Sequence, residues 1–365
     1  MNIRLFLSVI LLIAAIRSNA PALPRFASRT GAKCQSCHVN PAGGAMRQAF
    51  GAQYGRDRLP VPAWSKEFEL EDFSNVITNV LGVGADFRTL YFSRRIPDTT
   101  SVDGFWQMQG DIYLNFRVAK KVAFFLKKGL RDGFEAYGLF NVLPASGSVK
   151  VGKFVPNYGL RTDDHTAYVR QQTGMSPETG RPERTGVEAG ISPGPVSIVG
   201  GFYNGEETNF PPTSSVKAYL GRAEGMFALG NGFNLALGGN VFSRKASAIT
   251  NTVYGGFGSF SVDDFTILGE ADWIRTTVGA GTTRTGLATY LEGDFVVTPG
   301  LDLKVAYDFF DSDVNLKTGA RSRYSFGFEF FPLSGVELRP MYRIVKEDPA
   351  AGNKDEIHIL LHLYL

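Results

Sequence analysis

The chain has 365 residues, with 38 basic and 35 acidic side chains and four histidines, for a formal net charge of +3. A balance this even offers no electrostatic footprint for nucleic acid, and no nucleic-acid partner is expected. Two cysteines are too few for a disulfide scaffold, and no apolar run reaches the roughly 20 residues that a membrane-spanning helix needs.

Residues 1–22 read as a secretory signal peptide. Arg4 supplies the early positive charge, an apolar run follows from Leu5 to Ile16, and Ala20-Pro21-Ala22 gives an A-x-A cleavage pattern. Cleavage after Ala22 is preferred to cleavage after Ala20, because it does not leave proline at the new N-terminus. Loss of Arg4 and Arg17 makes the exported chain, beginning near Leu23, almost neutral.

The next segment, residues 23–66, holds both cysteines in "GAKCQSCHVNPAGG". A disulfide between Cys34 and Cys37 would close almost no loop and constrain almost no entropy. A zinc site needs about four Cys or His ligands, and no second C-x-x-C or H-x-x-x-H lies near. Covalent haem attachment is left. On one helical turn, positions i and i+3 face the same way, so both thiols can form thioethers along one porphyrin edge, with His38 placed as proximal ligand to the iron. One covalent haem c is the expected cofactor.

The stretch "PRFASRTGAKCQSCH" at 24–38, followed by "FGAQYG" at 50–55, resembles the N-terminal segment of the outer-membrane monohaem cytochrome-porin fusions of iron-oxidising bacteria. The resemblance covers about 35 residues, and "VNPAGGAMRQ" between the two motifs does not match. It implies a haem segment joined to an outer-membrane barrel, with iron as a candidate extracellular donor.

Beyond a linker, "RDRLPVPAWSKEF", residues 67–365 change character. Apolar and polar residues alternate, and aromatics and glycines are frequent. Sixteen strands are expected, at about 81–94, 105–118, 122–130, 134–143, 147–155, 185–192, 196–203, 217–229, 233–243, 252–262, 265–275, 286–297, 301–311, 322–331, 336–345 and 356–365. Short connections ("AKK", "LPAS", "SPGP", "LGNG", "VDD", "TPG", "PLSG") tend to alternate with long ones, the pattern of short turns at one end of a transmembrane barrel and longer loops at the other. The fold class is therefore all-β, a transmembrane antiparallel β-barrel of about 16 strands with a short N-terminal c-type haem segment. The final strand "EIHILLHLYL" should turn Ile357, Ile359, Leu361, Leu363 and Leu365 to lipid, and Glu356, His358, His362 and Tyr364 inward.

The longest connection, 156–184, is the third of the long series. In sixteen-stranded porins the third external loop commonly folds into the lumen, and "VGKFVPNYGL" resembles the phosphate-selective porin type. Arg161, Arg170, Arg181 and Arg184 could then line an anion constriction; ordinary solvated arginines are the plainer reading. For the iron's distal ligand the candidates are Met46, close in sequence, and His362, on the inward face of the last strand. Met46 could instead pack under the porphyrin, and His358 and His362 could be ordinary lumenal residues. Asp163, Asp164 and His165 form an oxygen-and-nitrogen cluster able to hold Fe(II) at the outer face, or a solvated loop segment.

Together these features predict an electron-transfer protein of the Gram-negative outer membrane rather than a conventional enzyme. Its expected partners are outer-membrane lipid, a periplasmic electron carrier and an extracellular donor or acceptor such as iron. An anion-selective porin with a structural or sensory haem plug is the alternative.

Overall fold

The computed structural model describes residues 25–67, 75–95, 101–130, 133–176, 182–205, 215–230, 232–246, 248–279, 281–316, 318–349 and 352–365. The signal-peptide reading, and Arg181, lie outside the described residues. Four short helices come first: α1 (Arg25–Thr30), α2 (Cys34–Cys37), α3 (Ala49–Asp57) and α4 (Pro62–Glu67). Sixteen strands follow: β1 (Leu81–Arg95), β2 (Val102–Ala119), β3 (Val122–Gly129), β4 (Phe134–Leu143), β5 (Gly147–Phe154), β6 (Arg184–Ile191), β7 (Val196–Asn204), β8 (Lys217–Gly230), β9 (Phe233–Ala246), β10 (Ile249–Val262), β11 (Phe265–Val278), β12 (Thr282–Thr298), β13 (Leu301–Asp311), β14 (Arg321–Phe330), β15 (Val336–Glu347) and β16 (Lys354–Tyr364). A fifth helix, α5 (Tyr168–Thr173), lies in the long connection between β5 and β6, called L3 below.

Each strand pairs antiparallel with its neighbours in sequence, and β16 returns to β1 with Asp86 opposite Tyr364 and Arg95 opposite Asp355. The sheet therefore has no free edge, which is what lipid demands of backbone N–H and C=O groups. The period-2 alternation decides which face is which. Along β16, Ile357, Ile359, Leu361 and Leu363 are exposed, while Glu356, His358, His362 and Tyr364 are buried inside, as the alternation predicts. Elsewhere the outward face carries Val187, Leu237, Leu291, Phe295, Val305 and Phe326. A barrel apolar outside and charged inside is a membrane-spanning barrel.

The sixteen strands fall where the pattern placed them, with one consistent difference. Two outer connections expected to be long, between β9 and β10 and between β11 and β12, close as short hairpins. The strands extend in register through Lys245 opposite Thr250 and Thr277 opposite Thr283. Both faces of these tips are polar, so the apolar signal ends before the hydrogen-bonded ladder does.

Introducing a charge on the lipid face tests the orientation. Leu291→Arg, at the middle of β12, should cost about 2–4 kcal/mol of folding stability in vesicles, and Val297→Arg, near its end, about 0–1 kcal/mol, measured by denaturant titration.

Candidate functional site

The N-terminal helices sit inside the barrel at the short-turn end, and they are held there by charge. The Arg25 guanidinium reaches Asp294 at 3.4 Å and also pairs with Glu329, both on the wall, and meets Asp163 of L3 at 3.6 Å. Arg29 donates to Asp302 at 2.6 Å and Thr266 at 3.1 Å, and the Ser259 hydroxyl donates to Ser28 at 2.9 Å. Apolar contacts complete the seat: Phe26 packs edge-on to Tyr54 and Phe331, while Val39 and Met46 join a lumenal cluster with Tyr113, Phe125, Tyr137 and Phe154. Residues 25–61 are thus a plug built into the lumen.

Within the plug, α2 is the single turn that the C-x-x-C spacing predicts, and the His38 N–H closes it by donating to the Cys34 carbonyl at 2.8 Å. The cysteines are unbridged, Cys34 buried and Cys37 partly so. Gly43 adopts φ +80°, and a Cβ there would come 2.8 Å from Cys34 Sγ. A Cβ at Gly51 would collide with the Cys37 carbonyl. These two contacts explain glycine at both positions, in the unmatched stretch and in the Phe-Gly pair that follows it.

Burial pushes the Cys34 thiol up to about 12, which removes it as a reactive redox thiolate at neutral pH. His38 is shifted the other way, down to about 4, by burial and then by the Arg47 charge. Its Nδ1 lies 3.4 Å from the Ala45 carbonyl, which can only accept, so Nδ1 carries the hydrogen and Nε2 keeps its lone pair. Gln48 Nε2 donates to the carbonyls of His38 and Gln35, both at 2.8 Å, and fixes this turn.

Two cavities flank the motif. Cys34 lines one facing Lys150, Glu188 and Arg222. His38 lines a central chamber of about 220 Å³ that reaches Asp163, His165 and Arg170 of L3. Arg161 borders both. Two unbridged thiols one turn apart and a neutral imidazole with an open Nε2 are the donor set that a c-type haem takes.

The two distal candidates are placed differently. Met46 packs against β1, its Cε 2.6 Å from where a Gly82 Cβ would stand, and does not line the His38 chamber. His362 does line it, but both its ring nitrogens are engaged, Nδ1 with Glu337 at 2.8 Å and Nε2 with Asp86 at 2.9 Å. His358 lies on the other side of L3, its Nε2 3.0 Å from Glu356.

L3 folds into the lumen, as expected of a third loop. Tyr158 donates to Asp272 at 2.6 Å, the Leu160 amide to Glu270 at 2.8 Å, and the Tyr168 amide to Asp308 at 2.9 Å. This corrects the reading of Asp163, Asp164 and His165 as a solvated segment or an outer-face Fe(II) site. Asp163 pairs with Arg339 at 3.0 Å, Asp164 with Arg343 at 2.7 Å, and His165 Nε2 meets Arg88 at 3.1 Å. Asp163 also clusters with Glu329 and Glu337 of the wall, and Arg25 and Arg339 neutralise the three carboxylates. Arg161 and Arg170 are likewise committed, donating to the Val155 carbonyl at 3.0 Å and the Thr162 carbonyl at 2.6 Å. Arg184 opens β6 and lines a small neighbouring cavity.

Sequence reasoning missed Arg25, Arg47 and Arg339. No local pattern marks Arg25 or Arg47, whose carboxylates lie far along the chain, and Arg339 adds distant Asp163 to its neighbours Glu337 and Glu329.

No protein-family model matches the sequence, and no curated protein matches it. Solved structures do resemble it. The anion-selective porin from Comamonas acidovorans matches with a TM-score of 0.58 at 11% identity, over 78% of this chain and 99% of that one. OmpT of Vibrio cholerae matches at 0.59 and 12%, over 80% and 100%, and the DcaP channel of Acinetobacter baumannii at 0.57 and 13%, over 78% and 97%. The fold is that of the outer-membrane porins. The uncovered fifth of this chain is about the size of the segment that precedes β1.

Arg25→Ala leaves Glu329 and Asp294 buried with one cation fewer. It should cost about 3–5 kcal/mol of plug docking and raise single-channel conductance in planar bilayers. Burial alone would raise the Asp163 and Asp164 carboxyls, but Arg339 beside the first, and Arg343 and Arg323 beside the second, hold both well below the usual range. A depressed carboxyl keeps its contribution above the unfolded value of about 3.9 and loses it as pH falls through the lower folded value. Hydrogen-exchange protection of residues 158–173, corrected for intrinsic rate, should therefore persist down to about pH 4 and fail only in stronger acid.

Proposed function

We propose that this chain is an outer-membrane c-type cytochrome fused to a porin-like barrel, passing electrons at or across the outer membrane through one covalent haem. The single observation that carries the reading is a C-x-x-C-H turn mounted on a plug inside a closed barrel. Cys34 and Cys37 would hold the group by thioethers, and His38 Nε2 would be its proximal ligand. Bound there, haem supplies one-electron exchange at its iron.

The remaining work belongs to the chain. Gln48 and the Ala45 carbonyl orient the imidazole, and burial beside Arg47 keeps it neutral and able to ligate. The plug and L3 meet across the lumen, through Arg25 to Asp163 and through Arg161 to the Gly43 carbonyl at 3.3 Å, and border the chamber from both sides. The barrel insulates a path through an apolar band roughly 25 Å tall. An extracellular donor, Fe(II) in the first instance, would deliver electrons, and a periplasmic carrier would accept them at the short-turn end, where the plug sits.

An anion-selective porin with a structural haem plug is the competing reading, supported by the fold of its neighbours. A lumen filled from both ends favours electron transfer over solute flow.

Reconstitution in liposomes, with an oxidant sealed inside and impermeant Fe(II) outside, tests this. Internal oxidant should be consumed by the native protein and not by Cys34→Ala. No consumption by the native protein, together with large anion-selective currents in planar bilayers, would establish the porin instead.

A further inference from the structure

On the far side of L3 from the plug, a separate vestibule of about 520 Å³ is walled by β1, β2, β14, β15 and β16, with the first turn of α5 as its floor. One flank is aromatic, with the Arg94 guanidinium over the Phe92 ring at 5.1 Å. Phe92 and Trp106 stand against the buried cluster of Leu90, Met108 and Leu360, and the His358 ring meets Phe92 edge-on at 5.1 Å. The other flank is cationic, with Arg321 and Arg323 over the Tyr168 ring at 5.0 and 4.8 Å from its centroid.

These cations are not equivalent. Arg94 is paired with Glu356, and Arg323 with Asp308 at 2.8 Å. Arg321 is held between the rings of Tyr168 and Phe310, each about 5.0 Å away, and among the described residues no carboxylate lies within ion-pair distance of it. Glu347 stands opposite it on β15 but pairs with Lys354. A guanidinium held beside two aromatic rings, with no carboxylate among the described residues at ion-pair distance, is preorganised for an anionic ligand.

We propose that the vestibule binds a planar aromatic anion, its ring along Phe92, Trp106 and Tyr168 and its carboxylate or sulfonate on Arg321. An inorganic anion would leave the aromatic flank wet, and a neutral arene would leave Arg321 unpaired. An aliphatic anion would forgo the ring contacts. The site does not depend on haem. Should the chain carry electrons, such a ligand would enter on the donor side of L3.

Calorimetric titration of naphthoate into the full chain in detergent micelles tests the site. Saturable one-site binding is expected, weakened about tenfold or more by Arg321→Gln and severalfold by Trp106→Ala. Naphthol and cyclohexanecarboxylate should each bind the native protein more weakly. Cys34→Ala should bind naphthoate as the native protein does, so this result and the electron-transfer result can fail separately. Heat-modifiable electrophoretic migration checks that each variant remains a closed barrel. Absence of saturable binding, equal affinity in folded Arg321→Gln, or equal affinity for cyclohexanecarboxylate would overturn the proposal.

Discussion

A sheet that closes in lipid must turn its polar side chains inward, and charges brought inward must be neutralised there. This constraint organises the whole interior. Lys304 lies 2.7 Å from Glu292 and 3.1 Å from Asp294, and Lys127 lies 2.8 Å from Glu135. The wall does not balance itself everywhere. Arg25 and Arg29 of the plug complete Asp294, Glu329 and Asp302, and Asp163 and Asp164 of L3 complete Arg339 and Arg343. The plug and the loop are counter-ions to the barrel as much as obstructions in it.

The same arrangement explains the character of the motif. A C-x-x-C-H turn in water would have an ordinary imidazole and reactive thiols. Seated in the lumen, His38 loses affinity for its proton and Cys34 becomes an inert, buried thiol. Apolar seating adds direction. Val39 and Met46 dock on a belt of aromatics, Tyr113, Phe125, Tyr137, Phe154, Tyr203 and Phe242, whose successive ring centroids lie 5.0 to 6.3 Å apart along one side of the wall. Charge fixes the plug toward β10–β14, and this belt fixes it toward β2–β9. Met46 is buried in this cluster, and His362 is braced by Asp86 and Glu337.

L3 divides the lumen. Below it the chamber joins His38 to Arg161, and above it the vestibule presents Arg321 and its rings. The divider is tied to the wall through its backbone amides, which donate to the buried Glu270 and Asp308 side chains.

Much of this was legible in the residues. The strand count, the orientation of β16 and the Cys34–His38 turn follow from patterns contained within a dozen neighbouring positions, while the inward third loop was expected from likeness to sixteen-stranded porins. The strand tips at Lys245 and Thr277 were not legible, because alternation fades where both faces are polar. "TDDH" at 162–165 read as a solvated or metal-binding loop, because its partners Arg339 and Arg343 lie more than 170 positions away. What the sequence by itself determined was periodicity and local spacing: a closed amphipathic sheet and a C-x-x-C-H turn. Tertiary structure alone decided which inward charges meet, where the plug sits and which histidine nitrogens stay open. Those depend on strand register and on docking between distant segments, and no local pattern encodes a contact between Arg25 and Asp294.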